Sequence, residues 1–420
     1  MRARPHTNSR RYSLLVLVAT NALIVAFWSL PLGRWSTDEA GDYLRFYAPV
    51  AKNLLQGHGL VTTSGAVAVE YPPGFPFILV ALFWLAQSTG ISEALWIQGS
   101  TLAALGLAST LLYRLAAMVI GPQRGLVAAA LWITCPFHLW LAKQPHSEIV
   151  FLPLFYTALL LYVSLLRRGG SRIALACGVF CGFAALVRPI ALLFPVVLAS
   201  GLLLTRSTSW RRWLGRSAFI LVGCGLVLLP WEGWARARTG VWIPVSTSGP
   251  RAVVDGLTFA VARRDFRAAT DTPADVRVLM SDVAERKRRG ELRTLGQIIG
   301  LLRDKAVEDP TAVSRLFLWK AARAWYGTDA GRSLEIYGLA VQLGYLVISL
   351  VGGLLLWRES GLGRAWVLST VLIVVYFWAM TIIVLSIVRY MTPVMGLLLP
   401  GAAVALCRLA DAAPRDVPVE

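Results

Sequence analysis

"EYPPGFPFILVALFWLAQ", residues 70–87, is the stretch on which the topology of this chain turns. It is apolar from Phe75 to Gln87. A helix needs about 20 such residues to cross the hydrocarbon core of a bilayer. If this one crosses, every later loop changes sides. If it does not, it is a re-entrant or interfacial helix, and the short basic loops of the chain fall on one face.

The remaining composition leaves no doubt that a membrane is involved. At 420 residues, 56% hydrophobic and only 15% charged, the chain is too apolar for an ordinary soluble protein. A net charge of +18 would suit a nucleic-acid partner. The Arg residues, however, cluster at the ends of apolar runs, where they report orientation and contact anionic headgroups. Membrane lipids, not nucleic acid, are the expected partner. The five cysteines, Cys135, Cys177, Cys181, Cys224 and Cys407, lie inside apolar segments without a CxxC pair and read as packing residues. The first apolar run follows Arg10 and Arg11, as in a signal peptide. It is longer than a typical signal core and lacks a small-residue cleavage site, so it reads as an uncleaved anchor.

Apolar runs between charged or Pro/Gly breaks predict about ten spans, near 13–30, 93–119, 124–142, 148–166, 172–187, 190–205, 213–231, 333–357, 365–387 and 391–408. Short cytoplasmic loops collect Lys and Arg. "GPQRG" at 121, "RRGGSR" at 167, "RSTSWRRWLGR" at 206 and "WRESGLGR" at 357 share the cytoplasm, with both termini, only if Phe75–Gln87 does not cross. The fold expected is therefore an all-α polytopic membrane protein. Its first module, residues 1–231, contains a long outer loop at 31–92. An outer, mostly helical region follows at 232–332, and C-terminal spans with a short tail occupy 333–420. The stretch "RLFLWKAARAWYG" at 315 mixes aromatic and basic residues and reads as an interfacial amphipathic helix.

Three outward segments carry titratable residues. "RWSTDEAGDYLRFY", residues 34–47, packs Asp38, Glu39 and Asp42 together. A helix from Asp38 to about Gln56, capped by Thr37, would place these acids at its positive end. That need not imply chemistry. Tyr43, Phe46, Tyr47 and Val50 recur at helical spacing and predict a helix lying on the membrane surface. Glu70 precedes "YPPG", with His58 upstream, and "KQPHSE" places His146 and Glu148 at the mouth of a span. Carboxylates at that depth are costly and usually kept for function. A His in a loop is ordinarily solvated, and these spacings match no local metal motif. Arg188 in "ALVRPIALL" and Arg389 in "SIVRYMTP" stand in short outward turns, against the positive-inside bias. Such an Arg either snorkels to headgroups or clamps a phosphate with its fork of donors. "GVFCG", residues 178–182, reads as helix packing. No Walker loop, HExxH, GxSxG or dinucleotide fingerprint is present.

Taken in order, "DEAGDYLRFYAPVAKNLLQGHGL…EYPPGFPF", "SEIVFLPLFYTALLLY", "LVRP" and "RYMTP" resemble the GT-C glycosyltransferases of the protein mannosyltransferase and aminoarabinose transferase type. The bacterial polytopic branch that glycosylates lipids and cell-wall polymers is the most similar. The resemblance covers the first half and the final spans; residues 232–332 fall outside it. It implies that Asp38 is the catalytic base, with Glu39 beside it in the DE pair. It also implies that Glu148 positions substrate or metal, and that Glu70 lies near the donor or a metal.

The expected enzyme moves a sugar from a polyprenyl-phosphate carrier to an acceptor hydroxyl or amine of a glycolipid, cell-wall glycan or protein. This occurs at the outer face of the bacterial inner membrane. Glu70, Tyr71, Glu148, Arg188, Arg389 and Tyr390 are the expected substrate-binding residues. Glu70, His146 and Glu148 are the candidate ligands should a divalent metal take part. A ligase or polymerase joining preassembled lipid-linked glycans is the nearest alternative. A secondary transporter fits less well, because the span interiors carry almost no charge and no internal repeat is evident.

Overall fold

A computed structural model describes residues 5–37, 40–205, 209–258, 272–328 and 335–412. The described residues are almost entirely helical. In chain order the helices are α1 Pro5–Trp28, α2 Ala48–Leu55, α3 Gly74–Thr89, α4 Glu93–Ile120, α5 Pro122–Ile133 and α6 Pro136–Leu141. There follow α7 Ser147–Arg168, α8 Ser171–Val187, α9 Phe194–Leu204, α10 Trp210–Thr239, α11 Gly249–Thr258 and α12 Ala274–Arg288. The last are α13 Leu295–Glu308, α14 Pro310–Arg323, α15 Glu335–Glu359, α16 Gly361–Ile383 and α17 Val388–Ala412.

Among the described residues, 7 helices are long and apolar enough to cross a membrane: the α1 segment Ser9–Trp28, α4, α7, α10, α15, α16 and α17. The other expected spans are short or broken. The run 124–142 splits into α5 and α6 at Thr134–Cys135, because Pro136 lacks the N–H that would continue the ladder. Helix α8 is 17 residues long, and the 190–205 run begins as a 3-10 turn at Pro189–Ala191 before α9.

The main core is built from α4, α7, α8, α9, α16 and α17, where the rings of Phe155, Phe194 and Phe377 meet at centroid distances of 5.0 to 6.3 Å. Glycines let helices approach closely. A Cβ on Gly178 would lie 2.0 Å from the carbonyl oxygen of Ile220, and one on Gly223 would lie 2.3 Å from that of Leu175. The "GVFCG" stretch is thus a packing device between α8 and α10.

Two elements differ from expectation. The first-loop helix runs as a π-helical turn, Tyr43–Tyr47, leading into α2. Its apolar face is buried against Phe75, Leu79 and Phe83 of α3 instead of lying open to the membrane surface. In α14 the basic residues turn inward. Lys320 is fully buried and its Nζ donates to the carbonyls of Gly256 and Val384 at 2.6 and 2.9 Å, while Arg323 pairs with buried Glu335 at 2.5 Å. Leu316 is buried beside them while Leu318 and Arg315 are exposed, so apolar and basic residues do not separate onto opposite faces as the expected amphipathic pattern requires.

The two ends of the bundle differ in chemistry. At one, Glu359 joins Arg124 and Arg408 at 3.1 and 2.9 Å, bringing the start of α5 and the end of α15 to the end of α17. At the other, Trp28 donates to the carbonyl of Ala142, and the backbone N–H of Ser36 donates to that of Lys143. Helix α3 begins against the Leu186 carbonyl and leads into α4, whose Glu93 pairs with Lys52 of α2 at 3.0 Å. Both of its ends therefore adjoin elements of this second end.

Candidate active site

The site is assembled by three helix termini. Helix α7 starts at Ser147 with Glu148 in its first turn, where an acid complements the helix dipole. Helix α8 ends because Pro189 disfavours helical geometry in the residue before it, leaving Arg188 extended at φ −142° and ψ 124°. Helix α17 begins at Val388, putting Arg389 in its first turn.

These three termini converge on the Glu148 carboxylate, which is 3% exposed. The Arg188 guanidinium lies 2.5 Å from Oε2 of Glu148, and Nε of Arg389 lies 2.8 Å from Oε1. Arg188 also donates to the Ser147 hydroxyl at 3.2 Å. Both guanidiniums stand over the ring of Tyr390, at 4.8 and 5.5 Å from its centroid. Nη1 of Arg389 lies 3.4 Å from Nδ1 of His146. Burial, followed by the Arg389 charge, lowers the imidazole pKa to about 3, so His146 is neutral and accepts from the guanidinium. One carboxylate faces two guanidiniums, and the group carries an excess positive charge.

The first loop covers this group. The phenol of Tyr47 sits beside Ser147 and within electrostatic reach of Arg188. The Tyr71 ring lies 5.3 Å from that of Tyr47 and 5.0 Å from Phe46, and its hydroxyl donates to Oδ1 of Asp42 at 3.2 Å. Burial raises both phenol pKa values, keeping these hydroxyls as neutral donors. Asp42 has no cationic partner among the described residues. The two acids expected at the centre of the chemistry, Asp38 and Glu39, lie outside the described residues.

Glu70 points elsewhere. Its carboxylate accepts from Arg251 of α11 at 2.6 Å, and the adjacent Val69 carbonyl accepts from the Thr247 N–H at 2.9 Å. This joins the first loop to the region after α10. Among the described residues no group of three or more His, Cys, Asp or Glu is placed to hold a metal. The expected trio of Glu70, His146 and Glu148 is not assembled, because Glu148 is held by two guanidiniums and Glu70 by a third. Sequence reading did not single out Ser147 or the Tyr47 hydroxyl. A tyrosine among the apolar positions of the first-loop helix was the available signal.

The family described as dolichyl-phosphate-mannose-protein mannosyltransferase matches residues 70–234, a segment that contains Glu70, Tyr71, Glu148 and Arg188. The chain superposes on the archaeal oligosaccharyltransferase AglB from Archaeoglobus fulgidus, in complex with an inhibitory peptide and a dolichol-phosphate, with a TM-score of 0.58 and 13% identity over 96% of this chain and 51% of that one. The fold is that of the GT-C glycosyltransferases. A second Archaeoglobus fulgidus oligosaccharyltransferase structure, tethered to an acceptor peptide containing the NVT sequon, matches this chain with a TM-score of 0.58 and 13% identity, over 95% of this chain and 50% of that one. ArnT from Cupriavidus metallidurans, bound to undecaprenyl phosphate, matches with a TM-score of 0.42 and 18% identity, over 96% of this chain and 79% of that one. The chain spans about half the length of the archaeal oligosaccharyltransferases it matches. No curated protein matches it in sequence.

Proposed function

We propose that this protein transfers a sugar from a polyprenyl-phosphate carrier to an acceptor hydroxyl or amine at the outer face of the cytoplasmic membrane. The observation that carries this reading is the Arg188–Glu148–Arg389 group. It sets an excess positive charge at the mouths of three apolar helices, where a lipid-borne phosphate rests while its tail stays in hydrocarbon. The dolichol-phosphate bound to the archaeal relative of the same fold supports a phosphate of that kind.

In the reaction, the acceptor oxygen or nitrogen attacks the anomeric carbon of the sugar. The bond from that carbon to the carrier phosphate breaks, and its electron pair stays on the phosphate oxygen. The acceptor proton passes to the carboxylate of Asp38. Arg188 and Arg389 meet the charge that grows on the phosphate as it leaves, and such charge-assisted bonds are stronger than neutral ones. Glu148 does not act on substrate in this scheme. Its carboxylate fixes both guanidiniums, and Ser147 and His146 complete their orientation. Loop residues flanking Asp38 are anchored nearby, Ser36 to Lys143 and Asp42 to Tyr71.

The test is turnover by the purified protein in lipid nanodiscs. Polyprenyl-phosphate sugars are offered in one arm and nucleotide sugars in the other. Transfer from the lipid-linked donor only is the expected result. Efficient transfer from a nucleotide sugar would overturn the reading.

A further inference from the structure

Helix α15 turns an apolar face outward, through exposed Leu343, Val347, Leu350 and Leu354. Gln342, Tyr345 and Ser349 recur on it at i, i+3 and i+7, which places them along one stripe. A polar stripe on a helix in lipid must turn toward protein, because hydrocarbon offers it no partner. The structure packs this stripe against α5 and α17. Gln342 is 1% exposed and Ser349 6%, and they line a small cavity with Trp132, Cys135, Tyr345 and Met395.

The cavity wall holds unused hydrogen-bonding capacity. The Tyr345 hydroxyl donates to the Leu131 carbonyl at 3.2 Å. Among the described residues, Nε1 of Trp132, both amide atoms of Gln342 and Oγ of Ser349 have no protein partner. Trp132 supplies a donor, while Gln342 and Ser349 each supply a donor and an acceptor. The free space is about that of one water molecule, too small for a lipid headgroup or a sugar.

We propose that the seam between α5, α15 and α17 is an internal hydration site, holding one ordered water between Trp132 and the polar stripe of α15. The water accepts from the Trp132 indole N–H and donates to an oxygen of the α15 stripe, within the two to four bonds usual for a buried water. The water thereby joins α5 to α15. Helices α15 and α17 instead touch backbone to backbone, since a Cβ on Gly352 would lie 1.7 Å from the Gly401 carbonyl oxygen and one on Gly401 would lie 2.8 Å from that of Ser349.

X-ray radiolytic labelling in water enriched in oxygen-18 tests this without any knowledge of the substrate, because hydroxyl radicals formed from a bound water oxidise the side chains around it. After correction for intrinsic reactivity, Trp132 and Met395 of the wild-type protein should label several-fold faster than Tyr162. That residue is equally buried, with its hydroxyl paired to Ser369. The double variant Gln342→Leu, Ser349→Ala should lower both rates to that of Tyr162, with the rate at exposed Trp242 unchanged. Wild-type Trp132 and Met395 labelling no faster than Tyr162 would overturn the proposal. So would labelling that persists at the wild-type rate in the double variant while Trp242 and Tyr162 keep their own rates.

Discussion

Nε of Arg389, in the first turn of α17, lies 2.8 Å from Oε1 of Glu148, in the first turn of α7. This contact ties the C-terminal helix of the bundle to the middle of the chain, and Arg188 closes the group from a third helix. Breaking such a pair on one side leaves buried charge without a counterion, which costs about 3–5 kcal/mol. Glu148→Ala would leave two guanidiniums facing each other over the Tyr390 ring. Its thermal unfolding midpoint in detergent should fall well below wild type. Glu148→Asp, which keeps the charge on a shorter stem, should recover part of the loss.

Arg389 and Arg188 stand at the proposed leaving phosphate, whereas Arg358 is exposed at the far end of α15. Hydrogen bonds to charged groups contribute about 1.5–3 kcal/mol, equivalent to about 10- to 100-fold in rate. Arg389→Ala should therefore cut transfer from a lipid-linked donor by that factor, and Arg358→Ala should leave it near wild type. Arg389→Lys should recover only part of the activity, since an ammonium lacks the planar fork that holds Glu148 and phosphate together. Single-turnover rates on the purified variants check each outcome.

Much of this arrangement was legible in the sequence, for identifiable reasons. Apolar runs and basic loops announce a polytopic bundle because the bilayer fixes both length and charge placement. Glu148 and Arg188 stood out because charge at a span mouth is costly, and Arg188–Pro189 forecast a helix end. Their partnership did not stand out, because Arg188 and Arg389 meet Glu148 only after α7, α8 and α17 have packed. The inward turn of Lys320 was hidden for a similar reason: its partners are backbone carbonyls of α11 and of the turn after α16, which carry no sequence signal. The break in the 124–142 run was marked by Pro136 and was passed over by a reading of hydropathy.

His146 gives the site a pH signature in stability. Its pKa is lowered from 6.5 to about 3, first by burial and then by the Arg389 charge. The folded state then binds fewer protons than the unfolded state wherever the pH lies between those values. The associated stability is fully present above about pH 6.5 and is lost as the pH falls toward 3. Wild-type protein should lose thermal stability over that window more steeply than His146→Gln, which has no proton to gain. Parallel curves for the two proteins would show that His146 titrates normally.

Asp38→Asn tests the proposed base. General-base catalysis supplies about 10²- to 10⁴-fold, so the amide should lower transfer by a factor in that range. Membrane insertion and donor binding should persist, because the proposed phosphate contacts are those of Arg188 and Arg389. Asp42→Asn is the informative control, since Asp42 is already engaged by the Tyr71 hydroxyl. An Asp38→Asn protein retaining near wild-type turnover, beside an inactive Asp42→Asn, would move the base role four residues along the loop.

The side of the membrane on which this chemistry occurs rests on helix α3. At 16 residues it rises about 24 Å, short of a hydrocarbon core of roughly 30 Å. Both its ends adjoin the elements that surround Glu148, through Leu186 at one and the Lys52–Glu93 pair at the other. The opposite end of the bundle gathers Arg124, Glu359 and Arg408, and the Arg216 guanidinium lies against Gly169 there. Basic loops of this kind face the cytoplasm. Reporters fused after Gly121 and after Gly169 should therefore both read as cytoplasmic, and one fused after Gly290, in the turn following α12, should read as external. If the first two read as external, α3 crosses the bilayer, and the Arg188–Glu148–Arg389 group faces the cytoplasm. A donor presented at the outer leaflet could not then reach it.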